Sequence, residues 1–390
     1  MSDGNDQIFI YDNNSVDAGA GNDTVTLRWI SDGLPAAAIE GGSGHDVLDA
    51  SNVFVGSGYM LFADLSFGIP GSPEGIFKVG DFLLSNFEEV IGNRSQSNYF
   101  LLQHQTAPMT IYGGNADDTI IGGFDGDTLY GRGGNDAITV RPNGHAFGGD
   151  GNDTFDVRFP STYNNSGSIS GGRGHDTLSL SFGFSVNMQL GEAVSPMPGS
   201  DIYAFSSIEA VTVYAYSGYE TTVIGNSVGN VLQVNSNFND GTVGVKFFGR
   251  GGSDTLLGSS GNDILKGGSG ADLLVGGTGH DVMSGGSGHD VMSGGSGHDR
   301  FVFGTADAAG SGMSRDEITD FKTGMDQIDL GAFLGGGSYI GVAIFSKTAG
   351  EIRLNLTAHI LQGDVNGDGM ADFEISLFGV TVLSISDFSF

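Results

Sequence analysis

Glycine makes up 69 of the 390 residues, cysteine is absent, and 46 acidic against 15 basic residues leave a formal net charge of −31. Such a charge repels nucleic-acid phosphates and anionic membrane surfaces, and it implies a cationic partner such as a metal ion. Without cysteine there is no thiolate ligand, so any metal must be held by oxygen or imidazole groups. No apolar run is long enough for a membrane-spanning helix. We therefore expect neither a nucleic-acid partner nor a transmembrane segment.

The N-terminal stretch MSDGNDQIFIYD has neither the basic nor the apolar region of a removable secretory peptide. Two expectations follow, a protein that stays in the cytoplasm or one exported by a route that does not use the N-terminus. The abrupt start inside a repeat leaves a third, that a catalytic module lies upstream.

Glycine-rich hexamers that end in aspartate, such as GGDGND and GGRGHD, recur along the first half of the chain. A truncated copy, SDGND, stands near the N-terminus. The aspartates that end these copies are Asp6, Asp23, Asp46, Asp118, Asp127, Asp136, Asp153 and Asp176. One hexamer alone is weak evidence, but this number of copies predicts a repeat architecture.

A second array repeats every nine residues without a break. Its aspartates are Asp254, Asp263, Asp272, Asp281, Asp290 and Asp299. The apolar residues that follow them are Leu256, Ile264, Leu273, Val282 and Val291, which makes the register loose by one residue. The unit is G-G-x-G-x-D-x-U-x, with U apolar, and this nonapeptide is the calcium-binding repeat of parallel β-helices.

The residue types of this unit suit calcium for separate physical reasons. Glycine permits the positive φ of a tight turn and lets backbone carbonyls approach an ion. Aspartate supplies a hard anionic oxygen, which Ca²⁺ prefers. The next three residues form a short strand whose middle side chain points inward. Two nonapeptides complete one coil, so we expect two rows of sites, each ion lying between successive turns of a row.

Two stretches without the hexamer, about 47–110 and 177–246, separate the clean repeats. IEGGSGHDVLDAS parallels ISGGRGHDTLSLS, and IYGGNADDTIIGG parallels FFGRGGSDTLLGS, which indicates an internal duplication. Alternation such as FGFSVNMQL favours strands, so we expect metal-free coils with longer loops at 66–80 and 191–201. We thus predict degenerate coils at 1–110, a calcium roll at 111–176, metal-poor coils at 177–246, a second calcium roll at 247–300 and a C-terminal domain at 301–390.

The regular spacing stops near residue 300, where the motifs FVF, DEITDF, GMDQIDL and GDVNGDGMADFEI follow. The repeats resemble those of the RTX (repeat-in-toxin) family, and these motifs resemble the C-terminal domain of serralysin-type secreted metalloproteases. The resemblance implies an all-β fold: a right-handed parallel β-roll or β-helix of calcium-binding nonapeptides with a C-terminal β capping domain. It also implies multiple Ca²⁺ ions, a C-terminal signal for the type I secretion machinery and an extracellular location.

The segment DVNGDG matches the first half of an EF-hand loop, with Asp364, Asn366 and Asp368 at ligand positions. The glutamate of the twelfth position is missing, because Ile375 stands there. An acidic turn between strands is an equally weighted alternative. The candidate calcium ligands of the C-terminal segment are Asp320, Asp364, Asn366, Asp368 and Asp372.

No zinc-protease H-E-x-x-H, no G-x-S-x-G elbow and no Tyr-Gly-x-Asp-Pro-His motif of the alginate epimerases occurs in the chain. Tyr112 and Tyr130 are one coil apart and should stack about 5 Å apart, and Phe147 would extend the row. With nearby arginine and histidine, this row suits an acidic polysaccharide, as a ligand or as a substrate for proton abstraction. The alternative is that the tyrosines only cover the sheet. The candidates for an active site are Tyr112, Tyr130, Arg132, Arg141 and His145.

Histidine precedes the aspartate in several repeats, at positions 45, 175, 280, 289 and 298. Sister repeats carry Asn, Ser or Ala at this place, and Ala271 has no side-chain ligand to offer. We therefore predict a structural role for these histidines.

These observations favour a secreted, calcium-binding protein that folds on Ca²⁺ outside the cell and acts as a surface, matrix or polysaccharide-associated binding module without its own catalysis. The alternative is a polysaccharide lyase, C5-epimerase or glycanase on a β-helix face, or the repeat tail of a larger secreted enzyme.

Overall fold

The structure, a computed structural model, describes residues 4–11, 14–29, 37–52, 61–64, 82–85, 87–102, 107–123, 126–141, 143–157, 166–180, 184–195, 202–215, 220–235, 243–304, 314–334 and 336–390. They fall into two compact units. Unit 1 draws on residues 1–181 and 197–208, and unit 2 on 182–196 and 209–390. The loop expected at 66–80 lies outside the described residues.

Unit 1 consists of short strands that pair mainly in parallel. They are β1 (Gln7–Tyr11), β2 (Val16–Asp17), β3 (Thr24–Trp29), β4 (Ala37–Glu40), β5 (Val47–Asp49), β6 (Leu61–Asp64), β7 (Phe82–Ser85), β8 (Glu89–Ile91), β9 (Asn98–Leu101), β10 (Thr110–Tyr112), β11 (Thr119–Ile121), β12 (Thr128–Gly133), β13 (Ala137–Val140), β14 (His145–Asp150), β15 (Thr154–Val157), β16 (Ser166–Arg173), β17 (Thr177–Leu180) and β20 (Ile202–Ser206). One parallel sheet has the order β1-β3-β5-β8-β10-β12-β14-β16-β20. A second has the order β6-β9-β11-β13-β15-β17, and β2, β4 and β7 form a small third sheet.

Unit 2 also consists of short strands that pair mainly in parallel. Its strands are β18 (Ser185–Asn187), β19 (Glu192–Val194), β21 (Ala210–Val213), β22 (Thr221–Ile224), β23 (Val231–Val234), β24 (Val245–Gly251), β25 (Thr255–Leu257), β26 (Ile264–Ser269), β27 (Leu273–Thr278), β28 (Val282–Ser287), β29 (Val291–Ser296), β30 (Arg300–Val302), β31 (Asp316–Ile318), β32 (Gln327–Asp329), β33 (Ser338–Tyr339), β34 (Glu351–Asn355), β35 (Ile360–Asp364), β36 (Phe373–Leu377) and β37 (Phe388–Ser389). One sheet runs β18-β22-β24-β26-β28-β30-β32-β37, and the other β21-β23-β25-β27-β29-β31-β36-β35-β34-β33. Strand β19 lies in part of the loop expected at 191–201 and pairs antiparallel with β18.

Successive strands of one sheet are one coil apart, as the nonapeptide period predicts. Leu265 pairs with Met283 and Leu274 with Met292, each pair eighteen residues apart. Two nonapeptides therefore complete a coil and contribute one strand to each sheet.

The core consists of two columns of apolar side chains, one for each sheet of the roll. In unit 2 the first column contains Phe247, Leu265, Met283, Phe301 and Ile328, all fully buried. The second contains Leu232, Leu256, Leu274, Met292, Ile318 and Leu377, also fully buried. In the regular repeats of unit 2 each strand contributes one large side chain to its column, whereas strands such as β13 and β15 bury a second one, Val140 and Val157.

This packing corrects the expected apolar positions. The inward residue is always the second after the aspartate, as Leu256 and Leu265 show. Ile264, Val282 and Val291 are instead only half-buried, and Leu273 is 40% exposed. The inward-pointing residue therefore stands at one strict position of the repeat. The spacing seems loose in the sequence because the first and the second residue after the aspartate both accept apolar side chains.

The helices with described bounds are α1 (Gly331–Leu334) and one 3-10 turn at Ile385–Asp387. Neither is long and apolar enough to cross a membrane. The fold is all-β, a parallel β-solenoid, as the sequence predicts. Near the C-terminus the antiparallel strands β34, β35 and β36 extend one sheet of unit 2. The five-segment division of the chain stays a prediction.

The tightness of the coil turns can be tested at glycine. Gly151 has a φ of +139°, and a Cβ there would stand 1.8 Å from the carbonyl oxygen of Gly134 in the preceding coil. Gly336 has a similar φ of +134° but nothing within 4 Å of that Cβ. We expect Gly151→Ala to lower the free energy of unfolding by at least about 1 kcal/mol more than Gly336→Ala, because only the first adds a steric clash to the backbone strain. Equal losses in urea unfolding would contradict this account.

Candidate calcium sites

The repeat aspartates form continuous rows in which each carboxylate receives a backbone N–H from the coil before. Asp263 N–H donates to Asp281 Oδ1 at 2.8 Å, and Asp281 N–H donates to Asp299 Oδ1 at 3.1 Å. The other row of unit 2 runs through Asp254, Asp272 and Asp290. In unit 1, Asp118, Asp136, Asp153 and Asp176 form such a row, and so do Asp6, Asp23 and Asp46. The structure thus brings the predicted aspartates together in rows, and Asp127 likewise accepts from Met109 N–H, eighteen residues before it.

The rows include residues that the spacing does not reveal. In unit 2 they end on Asp316 and Asp326, which accept from Asp290 and Asp299 N–H. Asn98 and Asn230 precede Asp118 and Asp254, and Glu88 follows Asp46. These steps span 20 to 42 residues instead of the eighteen of the regular coil, so the coil period does not find them. The signal that remains is a lone Asp, Asn or Glu at the first position of a short β-strand or one place before it.

The second carboxylate oxygen is the unusual feature of these rows. Asp136 Oδ2 and Asp281 Oδ2 are buried and have no hydrogen-bond partner among the described residues. The same holds, within the described ranges, for Oδ2 of Asp23, Asp46, Asp153, Asp254, Asp272 and Asp299. Because a buried anionic oxygen without a donor is costly, this pattern suits a site that binds a cation.

The first glycine of most hexamers makes room for this oxygen, although Ala18 stands at that place before Asp23. A Cβ at Gly131 would stand 2.0 Å from Asp136 Oδ2, and one at Gly276 would stand 2.3 Å from Asp281 Oδ2. The glycine is therefore required by the carboxylate five residues later in its own repeat. In Asp118 and Asp263 the Oδ2 atom instead accepts a backbone N–H, from Gly114 and Ser259.

Burial changes the acidity of these groups. It raises the pKa of Asp136 to about 8 and the pKa of Asp254 and of Asp281 to about 7, because desolvation disfavours the charged form. The charges of Asp118 and Asp153 raise the pKa of Asp136 further. Without a cation, each row carries like charges in a buried place.

Calcium fits these rows. No three acidic or histidine side chains come together as a ready-made metal site in the described part of the chain. The donor set is therefore one carboxylate per turn, completed by backbone carbonyl oxygens, which are hard oxygen ligands of the kind Ca²⁺ accepts. The turn glycines allow such oxygens to crowd together, since Gly134 O lies where a Cβ of Gly151 would be. The aspartates with a buried, unpartnered Oδ2 would hold the ion, and the ion would supply the compensating charge.

The variable residue before each aspartate forms a separate outer row. Asn262 Oδ1 accepts from His280 N–H at 2.8 Å, and His280 Nδ1 accepts from His298 N–H at 2.9 Å. In unit 1, Asn22 Oδ1 likewise accepts from His45 N–H. Asparagine and His280 are interchangeable here because each offers one acceptor to the next coil, which is a structural role of the kind predicted for these histidines.

The C-terminal candidates use their carboxylates within their own turns. Asp364 accepts the N–H groups of Gly367, Asp368 and Gly369, and Asp372 accepts those of Val365 and Asn366. This pattern is typical of an acidic turn between strands, here β35 and β36. A calcium role for Asp364, Asn366, Asp368 and Asp372 stays a prediction.

Asp320 closes the last repeat turn. Its carboxylate accepts the N–H groups of Gly294 and Gly295 and the hydroxyl of Ser293. Its proposed calcium role also stays a prediction.

The aromatic row of unit 1 comprises Tyr112, Tyr130 and Phe147. Their ring centroids are 4.9 and 4.8 Å apart with nearly parallel planes, and the Arg132 guanidinium lies 4.6 Å from the Tyr112 centroid. His145 lies on the strand β14 that carries Phe147, and its Nδ1 is 2.7 Å from Ser168 Oγ. The backbone oxygen of Arg141 accepts from the Tyr203 hydroxyl. The row and Arg132 form one surface, whereas a catalytic role for these residues and for Arg141 and His145 stays a prediction.

Comparison with protein families decides what this arrangement is. Residues 108–390 match the family described as Peptidase M10 serralysin C terminal. The chain belongs to this family. Residues 11–27 match the RTX calcium-binding nonapeptide repeat, so the chain is a calcium-binding RTX protein. Such repeats and C-terminal domains are typical of proteins secreted by the type I route.

Among solved structures, this RTX protein is similar to the AlgE6R3 subunit of the mannuronan C5-epimerase of Azotobacter vinelandii. The identity is 29%, the alignment covers 35% of this chain and 77% of the subunit, and the TM-score is 0.28. None of the curated proteins compared matches the chain.

The raised pKa values predict how the metal-free protein responds to pH. In the unfolded chain these carboxylates titrate near 4, whereas the folded pKa values of Asp136, Asp254 and Asp281 lie at about 7 to 8. The folded state thus binds more protons, and its stability falls as the pH rises from about 4 to 8. We expect circular dichroism in EDTA to show less β-structure at pH 8 than at pH 5, and Ca²⁺ to remove this loss. A metal-free protein that gains structure as the pH rises would contradict the assignment.

Proposed function

We propose that this RTX protein leaves the cell by type I secretion, folds on binding Ca²⁺ outside, and acts there as a non-catalytic module that associates with acidic polysaccharide at the cell surface or in the matrix. The observation that carries the proposal is the set of buried aspartate rows whose second oxygens have no donor among the described residues. Such rows make the folded state depend on a cation.

The coupling of folding to calcium follows from charge. The chain has a net charge of −31, and folding stacks part of that charge in buried rows. Where calcium is scarce, the chain stays expanded; where calcium is abundant, its binding free energy stabilises the folded state. A difference of this kind between the cytoplasm and the exterior suits export of an unfolded chain. Hydrogen bonds from the N–H groups of the preceding coil hold the aspartate carboxylates in position for the ion.

We propose that the rows hold several ions, and this can be tested by removing one charge. Asp281→Asn keeps an Oδ1 acceptor for the Asp263 N–H but loses the anionic oxygen. We expect the Ca²⁺ concentration at half-maximal folding to rise roughly tenfold, measured by circular dichroism. The matched control is Asp150→Asn, since Asp150 lies in a repeat turn but is exposed in a pair with Arg173. An equal calcium requirement in both variants, or full β-structure of the native chain in EDTA, would overturn the proposal.

The polysaccharide association is supported by the aromatic row of unit 1. Stacked rings at sheet spacing offer a flat surface to sugar rings, and Arg132 places a cation beside them. The competing proposal is a lyase, epimerase or glycanase that uses this same surface, or a catalytic module elsewhere in a longer protein.

Tyr130 lies at the centre of the row, so its substitution tests the binding role, and an assay for reaction products tests the enzyme. We expect Tyr130→Ala to weaken binding to an acidic polysaccharide roughly tenfold, as measured by affinity electrophoresis in Ca²⁺. Tyr11→Ala, at an exposed tyrosine outside the row, is the control. Incubation with acidic and neutral polysaccharides should yield neither new reducing ends nor unsaturated uronates nor changed epimer ratios. Any of these products would show that the protein is an enzyme and would overturn the proposal of a non-catalytic binding module.

A further inference from the structure

Two arginines adopt a backbone conformation that is normally left to glycine. Arg132 and Arg250 occupy the second position of their hexamers with φ values of +80° and +77°. Arg250 pairs in register with Gly268, which has a φ of +116°. A left-handed arginine is strained, and such strain often marks a functional position.

The two arginines have different surroundings. Arg132 covers the ring of Tyr112 in the preceding coil. In unit 2 the corresponding place of the preceding coil is occupied by Ile224, which is not aromatic and which pairs with Phe248. The Arg250 guanidinium instead donates to Gln189 Oε1. It lines a surface cleft of about 540 Å³ together with Met188, Gln189, Asn226, Ser227, Val228, Gly251 and Ser269.

One wall of this cleft comes from the only antiparallel hairpin described between two coil strands, formed by β18 and β19. Asn187 Oδ1 accepts the N–H groups of Gln189 and Leu190 and so fixes the tip of the hairpin. This hairpin, which stands in a stretch without the hexamer, thus adds a side wall that the regular repeats do not have.

The cleft offers donors and no negative charge. The Gln189 Oε1 atom already accepts from Arg250, and Asn226 Oδ1 accepts from Val228 N–H at 3.0 Å. What both amides can still present to a ligand is therefore their NH₂ group. The lining includes no carboxylate, in a chain whose net charge is −31. The side chains of Met188 and Val228, the latter 54% exposed, add an apolar patch.

We propose that this cleft binds an acidic sugar. The Arg250 guanidinium pairs with the sugar carboxylate, the amides of Gln189 and Asn226 and the hydroxyl of Ser227 bind ring hydroxyls, and the C–H face of the ring packs on Met188 and Val228. An arginine fork suits a carboxylate because it donates two parallel hydrogen bonds. The proposal rests on the proposed association with acidic polysaccharide, but on a different surface from the aromatic row.

The test is titration calorimetry of the calcium-loaded full chain with a trimer of a uronic acid. The comparison ligands are its methyl ester, which keeps the sugar and removes the charge, and acetate, which keeps only the charge. We expect the uronate trimer to bind at least tenfold more tightly than either. Arg250→Gly removes the guanidinium, introduces the residue that suits the backbone, and should remove the binding of the cleft, so that only binding to the aromatic row of unit 1 remains. Arg250→Lys should weaken it at least tenfold, because the fork is lost while the charge stays.

Arg173→Gly is the control, since Arg173 is an exposed arginine of a repeat turn in unit 1, where it pairs with Asp150 outside the aromatic row and the cleft. It should leave the trimer affinity of the cleft unchanged within twofold, and Gln189→Ala should reduce it severalfold. Circular dichroism in Ca²⁺ confirms that each variant is folded. An undiminished trimer affinity in Arg250→Gly, equal binding of the methyl ester or of acetate, or an equal loss in Arg173→Gly would overturn the proposal. None of these results would alter the calcium dependence of folding, so the two proposals fail separately.

Discussion

Every regular repeat buries an aspartate carboxylate between two turns of the chain, and the rest of the roll is arranged around the compensation of that charge. One oxygen is satisfied by the N–H of the preceding coil, which fixes the coil period and aligns the rows. The other oxygen of Asp136, Asp281 and their equivalents lies against glycine with no donor among the described residues. Glycine at the first hexamer position is thus a consequence of the carboxylate as much as of the turn.

The core is thin because each strand of the regular repeats of unit 2 buries only one large side chain. Columns such as Phe247, Leu265 and Met283 stabilise the stack along its length. A core of this kind resists little charge repulsion by itself, so in the proposed function the rows of aspartates bind calcium as the apolar columns form. Calcium binding and folding are therefore one process in the proposed function.

The coils without the hexamer present different surfaces from those of the regular repeats. Where the hexamer is absent, the chain is released from the strict turn and forms the β18–β19 hairpin. Arg132 beside the aromatic row of unit 1 and Arg250 beside the cleft of unit 2 occupy the same position of their hexamers. They differ because the preceding coil supplies Tyr112 in one case and Ile224 in the other.

The sequence by itself determined the all-β repeat fold, the rows of aspartates and the stacking of Tyr112 on Tyr130, because a fixed period converts spacing directly into register. It did not reveal the strict inward position of Leu265 and Met283, since the neighbouring Ile264 and Val282 are equally apolar. It also missed Asp316, Asp326 and the Arg250 cleft. These depend on connections of irregular length, and only the tertiary structure decides which distant residues such connections bring into a row or a wall.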